Sequence, residues 1–455
     1  MASIKEHFAK YWIYYLFILI EMTCIILYSQ FVEFRTFSNS GGDWTEMMAQ
    51  ESVVAAWPIL ADMNVLIFIG FGFLLTVSKG YGWSAVAINF VLAAMTLQWS
   101  TLWNSFWNRV FVGGWGDPIF LDFNILFYSE YVTWSAIIAF GAVYGRLSFA
   151  QYLVMTFIFI FFSALSWNIT LASFVANDVA GGMNVHAFGA LFGLAVSAVA
   201  GRKEAKRTTT YISNLFGILG TIFIWIYFPA FNAGFFGNAN FRGIVNTYIA
   251  MTASVFMTFL FTPLIKDGKL TIQNVLNATL AGGIIVGSTA DIIVQPWVGF
   301  FLGCLAGVVS VLGFEYIVPF VNNKLKIQDS NGVLALHGVN GILAGIISAV
   351  IAGTATGARY PDDFSSNFPA IDAGRTPGVQ GGYQLATLAV VIAISIVTGV
   401  LTGLLLNLSI FAKVTTPFDD EELWALGDEN YAEFKKTDGE PQVVEIKIGE
   451  PINSI

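Results

Sequence analysis

Long apolar runs alternate with short polar breaks along the whole chain. Twelve runs stand out, centred on 11–31, 54–77, 84–104, 123–144, 149–173, 179–200, 211–231, 245–265, 274–294, 297–319, 332–353 and 383–411. A helix needs roughly 20 apolar residues to cross a bilayer core, and each run reaches that length. The runs are apolar on every side and do not alternate, which predicts helices and not a membrane barrel. The pattern therefore predicts an all-α membrane protein with twelve transmembrane helices. The first run is too long for a signal-peptide core and no small-residue cleavage site follows it, so it is expected to remain as a helix.

The polar breaks orient these helices. If the N-terminus is cytoplasmic, sixteen of the 21 Lys and Arg residues fall on inner loops and ends. Arg35, Arg109, Arg242, Arg359 and Arg375 are left outside, with no lysine among them. Basic residues gather on the cytoplasmic side of membrane proteins, so both termini are expected inside, and an odd number of spans would scramble the split. The chain is expected to divide into 1–53 (N-terminal end, first helix, external loop), an eleven-helix membrane domain over 54–411, and an acidic cytoplasmic tail over 412–455. The short turn carrying Arg146 fits a cytoplasmic hairpin, and Lys203 and its neighbours are read as plain cytoplasmic charge.

Composition agrees. Of the 455 residues 56% are hydrophobic and only 11% charged, against about 25% charged in soluble domains. The net charge of −9 argues against nucleic acid as a partner. Two cysteines, Cys24 and Cys304, sit in apolar runs, and there are three histidines in all. Neither a disulfide framework nor a metal or cofactor site is expected. No nucleophile–base constellation or phosphate loop appears, so the chain is not expected to be an enzyme.

A charge at bilayer depth is costly, so each ionisable residue in a run is a candidate for function. These are Glu21, Asp62, Glu130, Asp178, His186, Asp291, Glu315, Asp329 and His337. Two stretches match. Asp178-Val-Ala-Gly-Gly-Met-Asn-Val-His186 opens the sixth run and Asp329-Ser-Asn-Gly-Val-Leu-Ala-Leu-His337 the eleventh. Each Asp stands at a helix start, where a carboxylate can accept orphan N–H groups. Each His follows at the same spacing, about 12 Å further along a helix. The sixth run descends from outside and the eleventh rises from inside, so both imidazoles are expected near the midplane of a core about 30 Å thick. That is the pattern of an inverted five-helix repeat with its site at the repeat interface. Gly189–Gly193 and Gly341–Gly345 are expected to let these two helices approach closely. The competing readings are two unrelated core histidines, and a metal site that lacks a third ligand.

Several segments together resemble the Amt/Mep/Rh superfamily, and within it the Rhesus-glycoprotein branch, over roughly residues 10–430. They are Asp62-Met-Asn-Val-Leu-Ile-Phe-Ile-Gly-Phe-Gly-Phe-Leu, Ala139-Phe-Gly-Ala-Val-Tyr-Gly, Asp178 through Gly193, Asn277-Ala-Thr-Leu-Ala-Gly-Gly283 and Asp329 through Gly338. The resemblance implies an ammonium or ammonia channel, a homotrimer with one narrow pore per subunit, and a place in the plasma membrane. It implies that His186 and His337 are twin pore histidines, that Tyr131 and Phe231 form an external gate, and that Asp178 and Asp329 are the vestibule and pore-support carboxylates. Methylammonium and carbon dioxide (CO2) are implied as possible further cargo. A carbon dioxide channel and a non-conducting sensor are the rival functions.

Three positions depart from the family pattern. Tyr131 stands where a phenylalanine is usual, and its hydroxyl implies a wetter gate. Leu334 and Ala335 replace two amides, which implies a more apolar inner half. Asn340 replaces a proline. No aromatic besides Tyr131 and Phe231 is assigned a pore role.

Overall fold

A computed structural model gives the structure, describing residues 4–34, 50–201, 208–233 and 240–425. Several charges used above to orient the chain, among them Arg35, Lys203 and Lys435, lie outside the described residues. The described residues form twelve apolar helices, in order α1 (Trp12–Phe31), α2 (Ala56–Val77), α3 (Gly82–Val112), α4 (Phe123–Val143), α5 (Phe149–Phe174), α6 (Gly182–Val199), α7 (Tyr211–Asn232), α8 (Phe241–Ile265), α9 (Ile272–Ile285), α10 (Pro296–Leu325), α11 (Leu334–Ala352) and α12 (Pro377–Leu406). Among the described residues, eleven are long and apolar enough to cross a bilayer, and α9 is shorter. The molecule is an all-α membrane bundle.

Burial sorts the helices. In the most apolar stretch of α4, 89% of residues are buried, and in that of α6, 83%. For α1 the share is 6%. Helices α4 and α6 therefore form the centre, and α1 lies on the rim with an apolar surface suited to lipid.

Small residues fix how the helices run past one another. A Cβ at Gly338, Gly341 or Gly345 of α11 would touch Ala190, Ala187 or Met183 of α6. The α6 partners descend as the α11 numbers rise, so the two helices are antiparallel. A side chain at Gly341 would stand 2.6 Å from the Ala187 backbone N, so the helices meet backbone to backbone. Gly189 and Gly193 do something different from what their spacing suggested. They face the α4 backbone at Ser135 and Ala139, in ascending order, so α4 and α6 run parallel. The close contact with α11 runs along Gly182–Ala190, the first half of α6.

The ninth run is a helix only as far as Ile285, yet it travels the whole length of α8. Asn274 bonds Thr262, Ser254 bonds the Thr279 carbonyl, Gly283 N–H meets the Met251 sulfur, and Asn246 bonds the Ala290 carbonyl. This is antiparallel contact from one end of α8 to the other. The non-helical part, including Val286 and Ala290, is buried in protein, where irregular backbone is tolerated at membrane depth.

Among the described residues a short parallel strand pair, β1 (Val32–Phe34) with β2 (Ile119–Leu121), links the end of α1 and the α3–α4 loop. After α12 the chain returns beneath the bundle. The Asp420 carboxylate accepts the Trp83 and Ser84 N–H groups at the start of α3, and Phe418 N–H bonds the Gly145 carbonyl.

Candidate functional site

Both histidines sit in widened π-helical turns, His186 in Gly182–Ala187 and His337 in Leu334–Gly338. Single wide turns of this kind often mark functional positions. Each is preceded by a glycine in the left-handed region, Gly181 at φ 69° and Gly332 at φ 75°, which lets the chain turn sharply into the helix. The two imidazoles meet with Nδ1 to Nδ1 at 3.0 Å and ring planes 9° apart. A neutral imidazole has one N–H and one lone pair. The bond therefore needs opposite tautomers, one Nδ1 protonated and the other bare. His186 is fully buried.

Asp178 and Asp329 hold these turns in place. Asp178 accepts the Met183 and Asn184 N–H groups at 3.0 and 2.9 Å, the Asn184 amide at 2.9 Å and the Ser288 hydroxyl at 2.5 Å. Asp329 accepts the N–H groups of Gly332, Val333 and Leu334 at 2.9–3.0 Å. The carboxylates serve as anchors of the two turns that carry the histidines. Both are buried, Asp178 at 2% and Asp329 at 5% exposure.

An aromatic stack lies on one side of the histidines. Tyr131 and Phe231 meet edge to face at 4.6 Å between centroids. The Tyr131 hydroxyl, expected to wet this pair, instead donates to the Phe231 carbonyl at 2.8 Å. It ties the rings together. Trp134, one helical turn after Tyr131, comes next. Its ring lies 3.8 Å from Phe231, 4.9 Å from Phe228, 5.3 Å from Phe71 and 5.4 Å from His186. On the other side, Phe71 stacks toward His337 at 6.4 Å. There a small cavity, about 10 Å³, touches His337 and is walled largely by Phe71, Leu74, Leu75, Ile137, Ile138 and Leu336, with Asn277 and Asn331 as its polar lining. Asn340 adds no polar lining here. Its amide donates to the Leu336 and Ala335 carbonyls and to Ser310, supporting the wide turn from behind.

Sequence reasoning missed Trp134, Phe71, Phe228 and Arg146. The spacing of Trp134, three residues after Tyr131, places both on one helix face and was the available signal. Arg146 is far from a plain loop charge. It is 3% exposed and donates to Ser330, Ala142, Ser197 and the Gln328 carbonyl at 2.6–2.8 Å. Burial lowers its pKa to about 10, with Tyr152 and Asp329 opposing, so it stays charged at neutral pH and clamps the loop that leads to Asp329. The remaining ionisable candidates have other surroundings. Glu315 pairs with Lys266. The Arg242 side chain bonds the Asp291 carbonyl and pairs with Asp363. Glu130 is buried, with Oε2 unpartnered. Among the described residues no cluster of three or more His, Cys, Asp or Glu could hold a metal ion.

This constellation can be set beside known proteins. The profile of the Ammonium Transporter Family matches residues 23–428. The chain belongs to that family. It is 36% identical to the ammonium transporter Rh type C of Xenopus tropicalis over 434 residues, covering 91% of this chain and 92% of the relative. It is 37% identical to the ammonium transporter Rh type B-B of Xenopus laevis over 420 residues, covering 89% and 90%. Its fold superposes on Nitrosomonas europaea Rh50, a structure described with the conduction mechanism of the Rhesus family of channels. The TM-score is 0.72 at 27% identity, covering 86% of this chain and 97% of the other. Candida albicans Mep2 shares the fold at a TM-score of 0.62 and 20% identity. These likenesses make the chain an Rh-type member of the Ammonium Transporter Family, which is a family of transporters.

Proposed function

We propose that this protein conducts ammonia across a membrane after ammonium sheds its proton at the outer end of the conduit. The observation that carries the reading is the His186–His337 bond, buried between an aromatic stack and an apolar cavity. Ammonium and potassium have the same charge and similar size, so a pore for bare ions separates them poorly. A dry conduit separates them well. Burying an unpaired charge there is prohibitive, and ammonium alone can leave as a neutral molecule. Ammonium is gathered by cation–π contact near Tyr131 and Phe231, the ion loses a proton, and ammonia passes the two imidazoles.

Asp178 and Asp329 act in this scheme by holding the histidine turns. The protein works as a homotrimer in the plasma membrane with both termini cytoplasmic, with 54–411 as the channel domain and 412–455 as its tail. Its cargo is ammonia, with no chemical transformation of it. Carbon dioxide is a second candidate only in that it is also small and neutral, and no residue favours it.

The test is reconstitution into proteoliposomes with internal pH and membrane current recorded together. Ammonia flux raises internal pH without current, whereas transport of the ion carries current. Removal of either imidazole, His186→Ala or His337→Ala, should change the rate or the charge carried. If both variants behave as wild type, the conduit lies elsewhere.

A further inference from the structure

Trp134 lies between the Tyr131–Phe231 pair and His186 and packs against both Phe231 and His186. Its ring centroid is 3.8 Å from that of Phe231 at 62°, which is van der Waals contact with no gap between them. It also lies edge-on to His186, at 84°. The side chain is fully buried, so its bulk lies inside the protein and not toward lipid. Its indole N–H has no acceptor. The Nε2 of His186 is likewise buried and unpartnered. A buried donor and a ring nitrogen without partners are costly to leave so, and these two belong to rings that pack against each other.

We propose that Trp134 is a specificity-determining residue. Its indole is a movable wedge that screens cargo by size, and its N–H and His186 Nε2 together hold one small amine. This rests on the reading of the conduit as a path for ammonia. The indole N–H donates to the single lone pair of ammonia. That leaves ammonia only N–H groups to offer, so His186 Nε2 accepts one of them. His186 then carries its own proton on Nδ1 and donates it to His337 Nδ1, and the remaining proton of His337 sits on Nε2. In that arrangement the indole N–H, His186 Nε2 and both Nδ1 atoms are each paired. Methylamine uses its lone pair in the same way but adds a methyl group where the indole touches Phe231.

The experiment compares ammonia and methylamine entry into proteoliposomes holding the full chain, by stopped-flow internal pH. Trp134→Ala should raise the methylamine-to-ammonia flux ratio about tenfold or more, the range one methyl group commands in a tight apolar pocket. Trp134→Phe keeps a ring in place and removes the donor. Its flux ratio should stay near that of wild type while ammonia flux falls about threefold, as for one lost hydrogen bond. An unchanged ratio in Trp134→Ala overturns the wedge, and undiminished flux in Trp134→Phe overturns the hydrogen bond. Should Trp134→Ala not fold, Trp134→Leu takes the same test with a smaller cavity and the same criterion. A wild-type protein that admits neither amine defeats the transport reading itself, and is thereby told apart from a failure of the wedge.

Discussion

At the scale of single residues, two carboxylates act through the backbone they grip. Asp178 uses its oxygens on four donors and Asp329 on three. An amide in place of either has the same shape but turns an NH2 group toward N–H donors. The lost bonds cost about 1–3 kcal/mol for each donor left unsatisfied. Asp178→Asn and Asp329→Asn should therefore lower the melting temperature of the detergent-solubilised protein and reduce ammonia flux together. A variant with normal flux and lowered stability would show that the turn tolerates loosening. Tyr131→Phe is the milder case. It deletes the bond to the Phe231 carbonyl, worth about 0.5–1.5 kcal/mol, and keeps the ring. A melting temperature a few degrees lower with flux retained is the expected outcome, and abolished flux would mean that the hydroxyl itself handles cargo. The Asp–His stretches were legible because ionisable groups stand out in apolar runs and because their spacing repeats. Trp134 was not, since in a chain with 13 tryptophans an indole carries no mark of whether it faces lipid, a neighbour or a conduit. Arg146 misled for the opposite reason. A basic residue in a short turn looks like a topology signal, and only the fold brings Ser197, Gln328 and Ser330 around it.

At the scale of elements, the site depends on how near α6 and α11 lie. The twin imidazoles need Nδ1 atoms at hydrogen-bond distance, and the glycine at 341 is what permits it. A methyl group there would stand 2.6 Å from both the Ala187 N and the Gly182 O, so the helices must part. A hydrogen bond does not survive a shift of that kind. Gly341→Ala should insert in the membrane yet lose most ammonia flux, and flux equal to wild type would show that the pair is not needed in contact. The spacing of small residues was visible in the sequence, but their partners were not. A GxxxG pattern states that some helix comes close, and Gly189 and Gly193 chose α4. Arg146 works at the same scale, tying the α4–α5 turn to α6 and to the loop before α11. Lysine keeps the charge but not the planar fork of donors. Arg146→Lys should destabilise this end of the bundle and weaken flux, and an unaltered melting temperature would remove the clamp from the account.

For the whole molecule, helix direction tests the count of crossings. Helices α4 and α12 run parallel to α6, since Gly399 and Gly403 of α12 face Phe192 and Val196 in ascending order. Helix α11 opposes α6, and α7 opposes α2, with Gly217 and Gly220 facing Val77 and Leu74 in descending order. Helices α8 and α10 are parallel, through Gly299, Gly303 and Gly307 against Asn246, Ala250 and Ser254. Two parallel helices that flank one segment require that segment to return the chain across the same distance. The apolar pattern predicted twelve crossings, and length alone finds eleven helices because the ninth segment completes its passage as turns. Apolar length was legible; the break in the helix was not, because it depends on burial between α7, α8 and α10. Labelling from the two sides of the membrane checks this directly. In a background with Cys24 and Cys304 replaced by serine, a cysteine at Gly268 should react with a membrane-impermeant maleimide only after permeabilisation. A cysteine at Gln295 should react in intact cells. If both react from one side, residues 272–295 form a re-entrant loop. The inverted relation of α6 to α11, and with it the meeting of the two histidines from opposite faces, would then lose its topological basis.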